Sequence, residues 1–400
     1  MKCNPLTLAL ASVGIISLGS VAQAEEQHSV MTTVASTTLS GYVDTSAIWK
    51  PGTGRGPLPG RSFDGPDKMD GFNLNAVKLS LEKALGDATG WSAGYKADLL
   101  FGPDATAYSS VLNGGTTSPN TDEFSIKQAY VALRAPVGNG LDIKLGVWDT
   151  IIGYEFFDSA SNPNYSRSYG FFMEPLHHTG ALVSYKINDV VSVTGGLANA
   201  TGGAVSGGFG NNINSKDPTE SKKSYLAALT FTLPEGAGSF QNSVIALGFI
   251  NGTTPGVTAQ SVRNYYAGAT LNTPLEGFQV GLAWDYLENI AGTPVGASSD
   301  AYAAAAYMSY GQDKWKLNLR ADYTQATAGF YYAVGNLNTG TPKTDRDELG
   351  SLTATLEYNL WENVLTRLEG RWDRALSGDT PFGTADENAF TIALNAVYKF

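Results

Sequence analysis

The sequence has a single cysteine, and it stands at position 3, ahead of a short apolar run. The charged start, the apolar run at 6–21 and the triplet Ala22-Gln23-Ala24 match the three parts of a secretory signal. We therefore predict cleavage after Ala24, which removes Cys3. A mature chain without cysteine excludes disulfides, cysteine-bound metals and a cysteine nucleophile.

Charge is also scarce, because only 16% of the residues are charged, against about 25% in an ordinary soluble domain. The formal net charge is -11, which argues against nucleic acid as a partner. After the signal, no apolar run approaches the roughly 18 residues that a membrane-crossing helix needs. A membrane role must therefore come from strands.

Histidine is rare as well, with three residues at positions 28, 177 and 178. No Gly-x-Ser-x-Gly or His-Glu-x-x-His pattern accompanies them, so we predict no enzyme activity and interpret His178 as a structural anchor. Asp158, Asn162, Asn164 and Glu174 carry hard oxygen ligands, but their spacing does not resemble a calcium loop. The sequence predicts no catalytic residue, no metal and no cofactor.

What the chain does have is 46 glycines, 20 tyrosines and 7 tryptophans, together with a clear two-residue alternation at its end. Phe390, Ile392, Leu394, Tyr398 and Phe400 share one face of the segment 387–400, since strand side chains alternate. A closed barrel is the structure other than a helix that satisfies every backbone group in lipid. We therefore predict an exported outer-membrane protein of a Gram-negative bacterium.

The sequence predicts about sixteen antiparallel strands, an even number as bacterial barrels prefer. Residues 1–24 are assigned to the signal, 25–37 to a short flexible segment and 38–400 to a single up-and-down barrel. The predicted strands lie near 38–49, 71–83, 90–102, 122–135, 139–150, 178–188, 189–199, 223–234, 238–251, 262–272, 274–288, 300–310, 313–325, 347–359, 362–374 and 387–400.

Connections between these segments alternate between short and long, as expected for periplasmic turns and extracellular loops. The short ones include 136–138, 187–189 and 234–237, whereas the long ones include 51–70, 103–121 and 151–177. All the long connections are thereby predicted to lie outside the cell. Except for 151–177, they are rich in Gly, Thr, Ser and Asn, like ordinary surface loops.

The strand at 314–324 alternates most clearly, with apolar residues such as Trp315 and Leu319 on one face and Lys316, Arg320 and Asp322 on the other. Because a Lys or Arg at the lipid midplane costs about 2 to 4 kcal/mol, the polar face must line a wet interior. The same parity predicts these pore-lining residues: Lys96, Asp98, Lys144, Lys316, Arg320, Asp322, Glu357, Arg367, Glu369, Arg371 and Asp373. The alternative is that these charges are a solvated wall or form ion pairs with one another.

The third long connection, Ile151 to His177, is rich in aromatic and charged residues. Exposed to water, so many aromatics would form a large apolar patch, so we predict that it folds into the lumen and narrows the pore. The candidate constriction residues are Tyr154, Glu155, Asp158, Tyr165, Arg167, Tyr169, Phe171 and Glu174. The alternatives are an outer cap or a subunit contact.

Several short motifs resemble those of the putative beta-barrel porin-2, or OmpL-like, family. They are Lys127-Gln128-Ala129-Tyr130-Val131, Leu145-Gly146-Val147, Gly153-Tyr154-Glu155, Asn162-Pro163-Asn164, Ser166-Arg167-Ser168, Pro175, His178-Thr179-Gly180 and the final Tyr398-Lys399-Phe400. The resemblance covers nearly all of the mature chain. It implies an outer-membrane porin-like barrel and brings no substrate and no site residues.

A barrel of sixteen strands is wide enough to leave an aqueous channel, so the sequence predicts a porin for passive diffusion of small hydrophilic solutes and ions. Mixed signs on the wall argue against a steep ion preference, and the negative net charge leaves a mild cation bias open. The alternatives are a surface interaction barrel with an occluded lumen, or a sugar-selective channel that uses the aromatic side chains. Outer-membrane lipid and a homotrimer are the other predicted partners.

Overall fold

The computed structural model describes residues 37–52, 56–87, 89–108, 123–201, 213–214, 222–253, 261–289, 299–332, 346–383 and 386–400. Within them, the alternating segments form sixteen strands, β1 to β16. Their bounds are Thr38–Trp49, Gly71–Lys83, Ser92–Phe101, Phe124–Ala135, Leu141–Asp149, His177–Lys186, Val191–Ala198, Ser224–Thr232, Val244–Thr253, Ser261–Asn272, Phe278–Glu288, Asp300–Gln312, Trp315–Ala326, Asp347–Trp361, Val364–Ala375 and Asn388–Lys399.

Each strand pairs antiparallel with its neighbours in the chain, and β1 also pairs with β16, so the sheet closes on itself. At this seam Tyr42 lies opposite Lys399, and the backbone of Gly41 exchanges two hydrogen bonds, of 2.9 and 3.0 Å, with Phe400. Closure leaves the barrel without an edge, which is what lipid demands of a sheet. The predicted fold class, an antiparallel barrel of about sixteen strands, is confirmed.

The alternation predicted for β13 is present, because Trp315, Leu317 and Leu319 are exposed on the outer wall while Arg320 and Asp322 are buried inside. Aromatic side chains are exposed at both ends of that outer wall, as in membrane barrels. Those at the end with short turns are Tyr310, Trp315, Trp361 and Tyr398, and those at the opposite end are Trp49, Phe72, Phe101, Phe124 and Tyr225.

Two β-bulges change which side chains reach the lumen. Asn75 is the extra residue where β2 pairs with β1, and Lys127 is the extra residue where β4 pairs with β3. A bulge places two successive residues against one on the partner strand. Both Asn75 and Lys127 are therefore buried inside the barrel beside Ala76 and Gln128.

Most predicted strand bounds agree with the structure to within two residues, but β9 was predicted to begin at 238 and begins at Val244. The difference arises because Glu235–Phe240 forms a 3₁₀ turn in which Gly238 has a positive φ of 62°. Glycine adopts that backbone conformation without the steric cost that other residues incur. This periplasmic turn is thus longer than the predicted 234–237.

The other local elements are 3₁₀ turns at Pro66–Lys68, Pro103–Tyr108 and Ser159–Ser161 and a short helix, α1, at Tyr169–Met173. Among the described residues, no helix is long and apolar enough to cross a bilayer. The predicted signal, 1–24, lies outside the described residues, as does the predicted flexible segment up to residue 36.

Candidate functional site

The third connection, residues 150–176, crosses the interior of the barrel between β5 and β6. Its two ends are joined by a hydrogen bond from the backbone N–H of Thr150 to the carbonyl of Leu176 (3.0 Å). The His178 ring is also hydrogen-bonded to the Thr150 hydroxyl (3.1 Å). His178 therefore acts as an anchor at the base of this connection, in the place that the sequence suggested.

Arg320, on the lumen face of β13, holds the middle of the third connection. Its guanidinium lies 2.8 Å from the Glu155 carboxylate and donates to the carbonyls of Ser166 (2.6 Å) and Arg167 (3.2 Å). Both charged side chains of the pair are fully buried. A buried ion pair of this kind is costly to break, since removing one partner leaves an uncompensated charge.

Glu369, on β15, binds the same stretch of chain through backbone donors. Its carboxylate accepts the N–H groups of Tyr165 (2.6 Å) and Ser166 (3.0 Å). The Thr355 hydroxyl donates to this carboxylate (2.7 Å) and accepts from the Asn164 amide (2.7 Å). The wall thus supplies the acceptors and donors that the irregular backbone of the connection lacks, as buried polar groups require.

Two further arginines of β15 complete this attachment. Arg367 donates to the carbonyls of Ser159 and Asn162, each at 2.8 Å. Arg371 donates to the carbonyl of Arg167 and to Asp373. Asp373 in turn accepts the hydroxyl of Tyr169, at the start of α1 (2.7 Å).

Asp158 marks the side of the connection that faces the end with short turns. Its carboxylate lies 2.8 Å from the Lys78 ammonium and accepts the Tyr42 hydroxyl (2.8 Å). The positive charges of Lys78 and Lys127 and both hydrogen bonds outweigh the effect of burial, so the pKa of Asp158 lies well below its ordinary value. Asp158 is therefore ionised and fixed to the wall across the neutral pH range.

Against strands β7 to β12 the connection packs through apolar and aromatic contacts. The rings of Tyr154 and Tyr307 are stacked with centroids 4.1 Å apart. Gly281 makes room for this stack, because a Cβ at that position would lie 2.0 Å from the Tyr154 hydroxyl oxygen. Burial raises the pKa of Tyr154 to about 12, so its hydroxyl stays neutral.

Glu174, at the end of the connection, is buried beside Asp285 of β11. Burial, followed by repulsion from Asp285, raises the pKa of Glu174 well above its ordinary value. Two neighbouring carboxyls in a dry site titrate as a pair that holds a proton between them. The raised pKa favours the protonated form of Glu174, which can donate a hydrogen bond to Asp285.

The first connection, which joins β1 to β2, is not the surface loop that its composition suggested. Arg61 is buried and reaches Asp64 (2.5 Å) and Asp373 (3.1 Å), while Gly60 packs against the rings of Tyr169 and Tyr331. Between this connection and the third, one cavity lined by described residues has room for about one water molecule, about 10 Å³. The composition predicted an ordinary surface loop, but part of this connection lies inside the barrel, where Arg61 reaches Asp373 of β15.

The pore-lining candidates all lie on the lumen face, but they divide into two layers. Arg320, Asp322, Glu369, Arg371 and Asp373 are at most 6% exposed and touch the third connection, its neighbours on the wall, or both. Lys96, Lys144, Lys316, Glu357 and Arg367 lie nearer the end with short turns. Asp98 lies between the layers and accepts from Ser80 and Gln128.

The eight candidate constriction residues all lie in the third connection, and six of them were placed above. Of the other two, Arg167 donates to the carbonyls of Phe156 and Phe157, and its guanidinium lies 5.8 Å from the centre of the Phe171 ring. Tyr154, Tyr165, Tyr169 and Phe171 are each at most 5% exposed. Buried rings present no free face for stacking on a sugar, so the aromatic basis of the sugar-channel alternative is absent.

Some residues of this site were missed from the sequence. Asp285 obeys the same parity as Gln279, so the alternation of β11 could have identified it. Arg61 and Asp64 could have been found by the mixture of charge and aromatic residues that singled out the third connection. Lys127, which pairs with Asp149, enters the lumen through a bulge that no sequence pattern announces.

Among the described residues, no cluster of His, Cys, Asp or Glu is arranged to hold a metal ion.

The model for the family described as "Putative beta-barrel porin-2, OmpL-like" matches residues 36–400. No curated protein matches this sequence.

Similar solved structures share the fold at low sequence identity. The anion-selective porin from Comamonas acidovorans has a TM-score of 0.59 at 12% identity, with 91% of this chain and 99% of that chain covered. The outer-membrane channel DcaP of Acinetobacter baumannii gives 0.57 at 12%, with 92% and 99% covered. OmpF of Salmonella typhi, in complex with daunomycin, gives 0.57 at 12%, with 91% and 97% covered.

Proposed function

The chain belongs to the putative beta-barrel porin-2, OmpL-like family, a family of outer-membrane porin barrels, and from that premise we propose that it passes small hydrophilic solutes and ions by passive diffusion. The observation that carries this proposal is a sixteen-stranded closed wall whose inner face is polar and charged. Sixteen strands enclose more space than their own side chains fill. The third connection occupies that space and is the proposed constriction.

The polar contacts of the constriction explain how it could be both narrow and stable. Arg320, Glu369 and Arg371 bind backbone groups of residues 165–167, so the path of the chain is fixed at its centre. A connection held in this way sets the pore width by its position on the wall. Solute size is then selected by geometry rather than by a binding step.

The test is single-channel current across a planar bilayer with the refolded mature protein. Stepwise openings are expected, and deletion of residues 153–172 is expected to enlarge the conductance, because it removes most of the chain that crosses the lumen. A second variant, Arg320→Met, keeps the chain length and loosens the connection, so it should give noisy, partly enlarged openings. Unchanged conductance in both folded variants would remove the constriction from the proposal.

A second candidate is an interaction barrel with an occluded lumen, and the observation that favours it is the density of packing inside. Asn164, Tyr169, Thr355 and Asp373 have no exposed surface, and the first and third connections leave room for about one water between them. Swelling of protein-loaded vesicles in small sugars separates the two candidates. Swelling supports the channel, and its absence with demonstrably folded protein supports the interaction barrel.

Trimer formation also belongs to the proposal, since OmpT of Vibrio cholerae, one of the similar structures, is a trimer form. On this chain the outer wall carries a shallow apolar depression over Ala304, Ala306, Ala321 and Gly350. Small side chains of that kind allow close approach of a second barrel. Cross-linking in native outer membranes is the measurement that tests it.

A further inference from the structure

The lumen face near the short turns carries a belt of cations that extends over neighbouring strands from β13, through the seam, to β5. Its members are Lys78, Lys96, Arg134, Lys144, Lys316, Arg367 and Lys399. Short turns mark the periplasmic end of an outer-membrane barrel. We call this feature the periplasmic belt.

Four members of the belt are paired with carboxylates. Lys78 binds Asp158 (2.8 Å), Lys96 binds Glu82 (3.0 Å), Arg134 binds Asp142 (2.5 Å) and Arg367 binds Glu357 (3.2 Å). These pairs neutralise one another and contribute no net charge. Asp98, on β3, is a further carboxylate of this part of the wall, and it accepts hydrogen bonds from Ser80 and Gln128.

The other three members, Lys144, Lys316 and Lys399, have no carboxylate within ion-pair distance among the described residues. Lys144 instead lies over the Tyr130 ring, with its ammonium 4.6 Å from the ring centre. Lys399 is exposed inside the mouth, and the charged groups nearest to it are Arg367, Glu357, Asp158 and Lys78. Among the described residues, the seven cations of the belt face five carboxylates, Glu82, Asp98, Asp142, Asp158 and Glu357, so the belt keeps a positive excess although the whole chain is acidic.

From this arrangement we propose that the periplasmic belt is a binding site for small polyvalent anions, of the phosphate or polycarboxylate class. Lys316 lies opposite Glu357 of β14, Glu357 lies opposite Arg367 of β15, and Lys399 is on β16, which pairs with β15. The side chain of Arg367 is fully buried and bound to Glu357, Ser159 and Asn162, so Lys144, Lys316 and Lys399 supply the ammonium groups that suit an anion with several charged oxygens. Low-dielectric walls concentrate the field of such a cluster within the lumen.

Exposed acids at the same end do not cancel this site. Asp87, Asp189, Glu235, Glu276, Asp313 and Glu362 are exposed in the short turns. Charges in bulk solvent are screened over about 8 Å at physiological salt, whereas charges against the protein wall are screened less. The acidic turns shift the potential of the outer rim more than that of the belt.

The inference deepens the proposed channel and rests on it for measurements of current. The probe is inorganic pyrophosphate, added to oriented single channels in potassium chloride. The side of the short turns is identified by thiol labelling of Asp189→Cys, a turn residue with a side chain 93% exposed. Pyrophosphate is expected to reduce the current from that side at concentrations at least tenfold lower than from the other side.

The variant Lys316→Gln/Lys399→Gln is expected to weaken this block by about tenfold. Lys314→Gln is the matched control, because Lys314 is exposed in the adjacent turn, outside strand β13. Equal block from both sides, or unchanged block in the double variant, would overturn the site.

A channel that gives no current at all overturns the proposed function and leaves the site to a second measurement. Isothermal titration calorimetry of the detergent-solubilised protein with pyrophosphate then decides it. Binding that is lost in Lys316→Gln/Lys399→Gln and kept in Lys314→Gln supports the site. Absence of pyrophosphate binding to the unaltered protein overturns it.

Discussion

The two sides of the barrel hold the same connection by different physical means. On strands β13 to β15, Arg320, Glu369 and Arg371 bind it through ion pairs and hydrogen bonds to its backbone. Across the lumen, β7 to β12 contact it mainly through rings and small residues, as in the Tyr154–Tyr307 stack over Gly281, and the Glu174–Asp285 contact is a polar exception on β11. Polar contacts are directional and fix the path of the chain, whereas apolar packing fixes volume.

The third connection is therefore sensitive to charge on its polar side and to side-chain shape on its apolar side. A charge removed from the polar side leaves its partner buried and unpaired, with a cost of several kcal/mol. A methyl group added on the apolar side forces the packing apart, with a smaller cost. Substitutions on the polar side and on the apolar side test this contrast.

Arg320→Met is expected to have the largest effect, because it leaves the Glu155 carboxylate buried without its cation and the Ser166 carbonyl without a donor. The expected cost is about 3 to 5 kcal/mol in the attachment of the connection. Hydrogen exchange of the backbone amides in residues 151–176 measures this cost directly. Arg263→Met is the matched control, since its pair with Glu288 is exposed and should leave that exchange unchanged.

Adding Glu155→Gln to Arg320→Met should recover part of the loss, because a neutral amide no longer requires a cation. If the double variant were as damaged as the single one, the ion pair would not be the source of the effect. The non-additive part of this cycle is the coupling between the two side chains.

Gly281→Val tests the apolar side. The new side chain would occupy the space of the Tyr154 hydroxyl and displace the stack on Tyr307, at a cost of about 1 to 3 kcal/mol. The same hydrogen-exchange measurement applies, and amides near residue 154 should respond more than those near residue 166. Gly370→Val provides the comparison, since its nearest contact, on the outer wall, is 3.5 Å away; a similar response there would show that valine in any strand has this effect.

The pH dependence follows from Glu174. Because the pKa of Glu174 is raised in the folded protein, this group contributes stability that is complete below its ordinary value of 4.5. The contribution falls as the pH rises from there through the raised pKa, by at most about 1.4 kcal/mol per pH unit. The attachment should loosen toward alkaline pH, and Glu174→Gln should flatten this dependence when amide exchange is compared at several pH values.

Lys96→Gln should have the smallest effect. Its partner Glu82 is 46% exposed in the side chain, and pairs open to water contribute about 0.2 to 1 kcal/mol. Thermal unfolding in detergent should show little change beside Arg320→Met. A large loss here would mean that the wall pairs near the periplasmic end are structural in the same way as the buried ones.

Much of the fold could be predicted from the sequence because lipid and water impose a strict alternation on strands such as β13. The inward course of the third connection could be predicted from its aromatic residues, because exposing so many of them to water would be unfavourable. Its partners on the wall could not be predicted, since contacts such as Glu369 with Tyr165 join residues about 200 positions apart. Lys127 was missed because a bulge shifts the alternation. The inward position of the first connection was missed because composition alone does not show which carboxylate pairs with Arg61.

The seam between β1 and β16 has a consequence for assembly. One side of β1 pairs only with β16. A chain shortened before β16 would therefore retain two strand edges with unpaired hydrogen-bonding groups. Insertion of this barrel therefore cannot be completed strand by strand as the chain arrives. Release into the membrane depends on the last segment, and an unfinished chain is exposed to aggregation or proteolysis until that segment is in place.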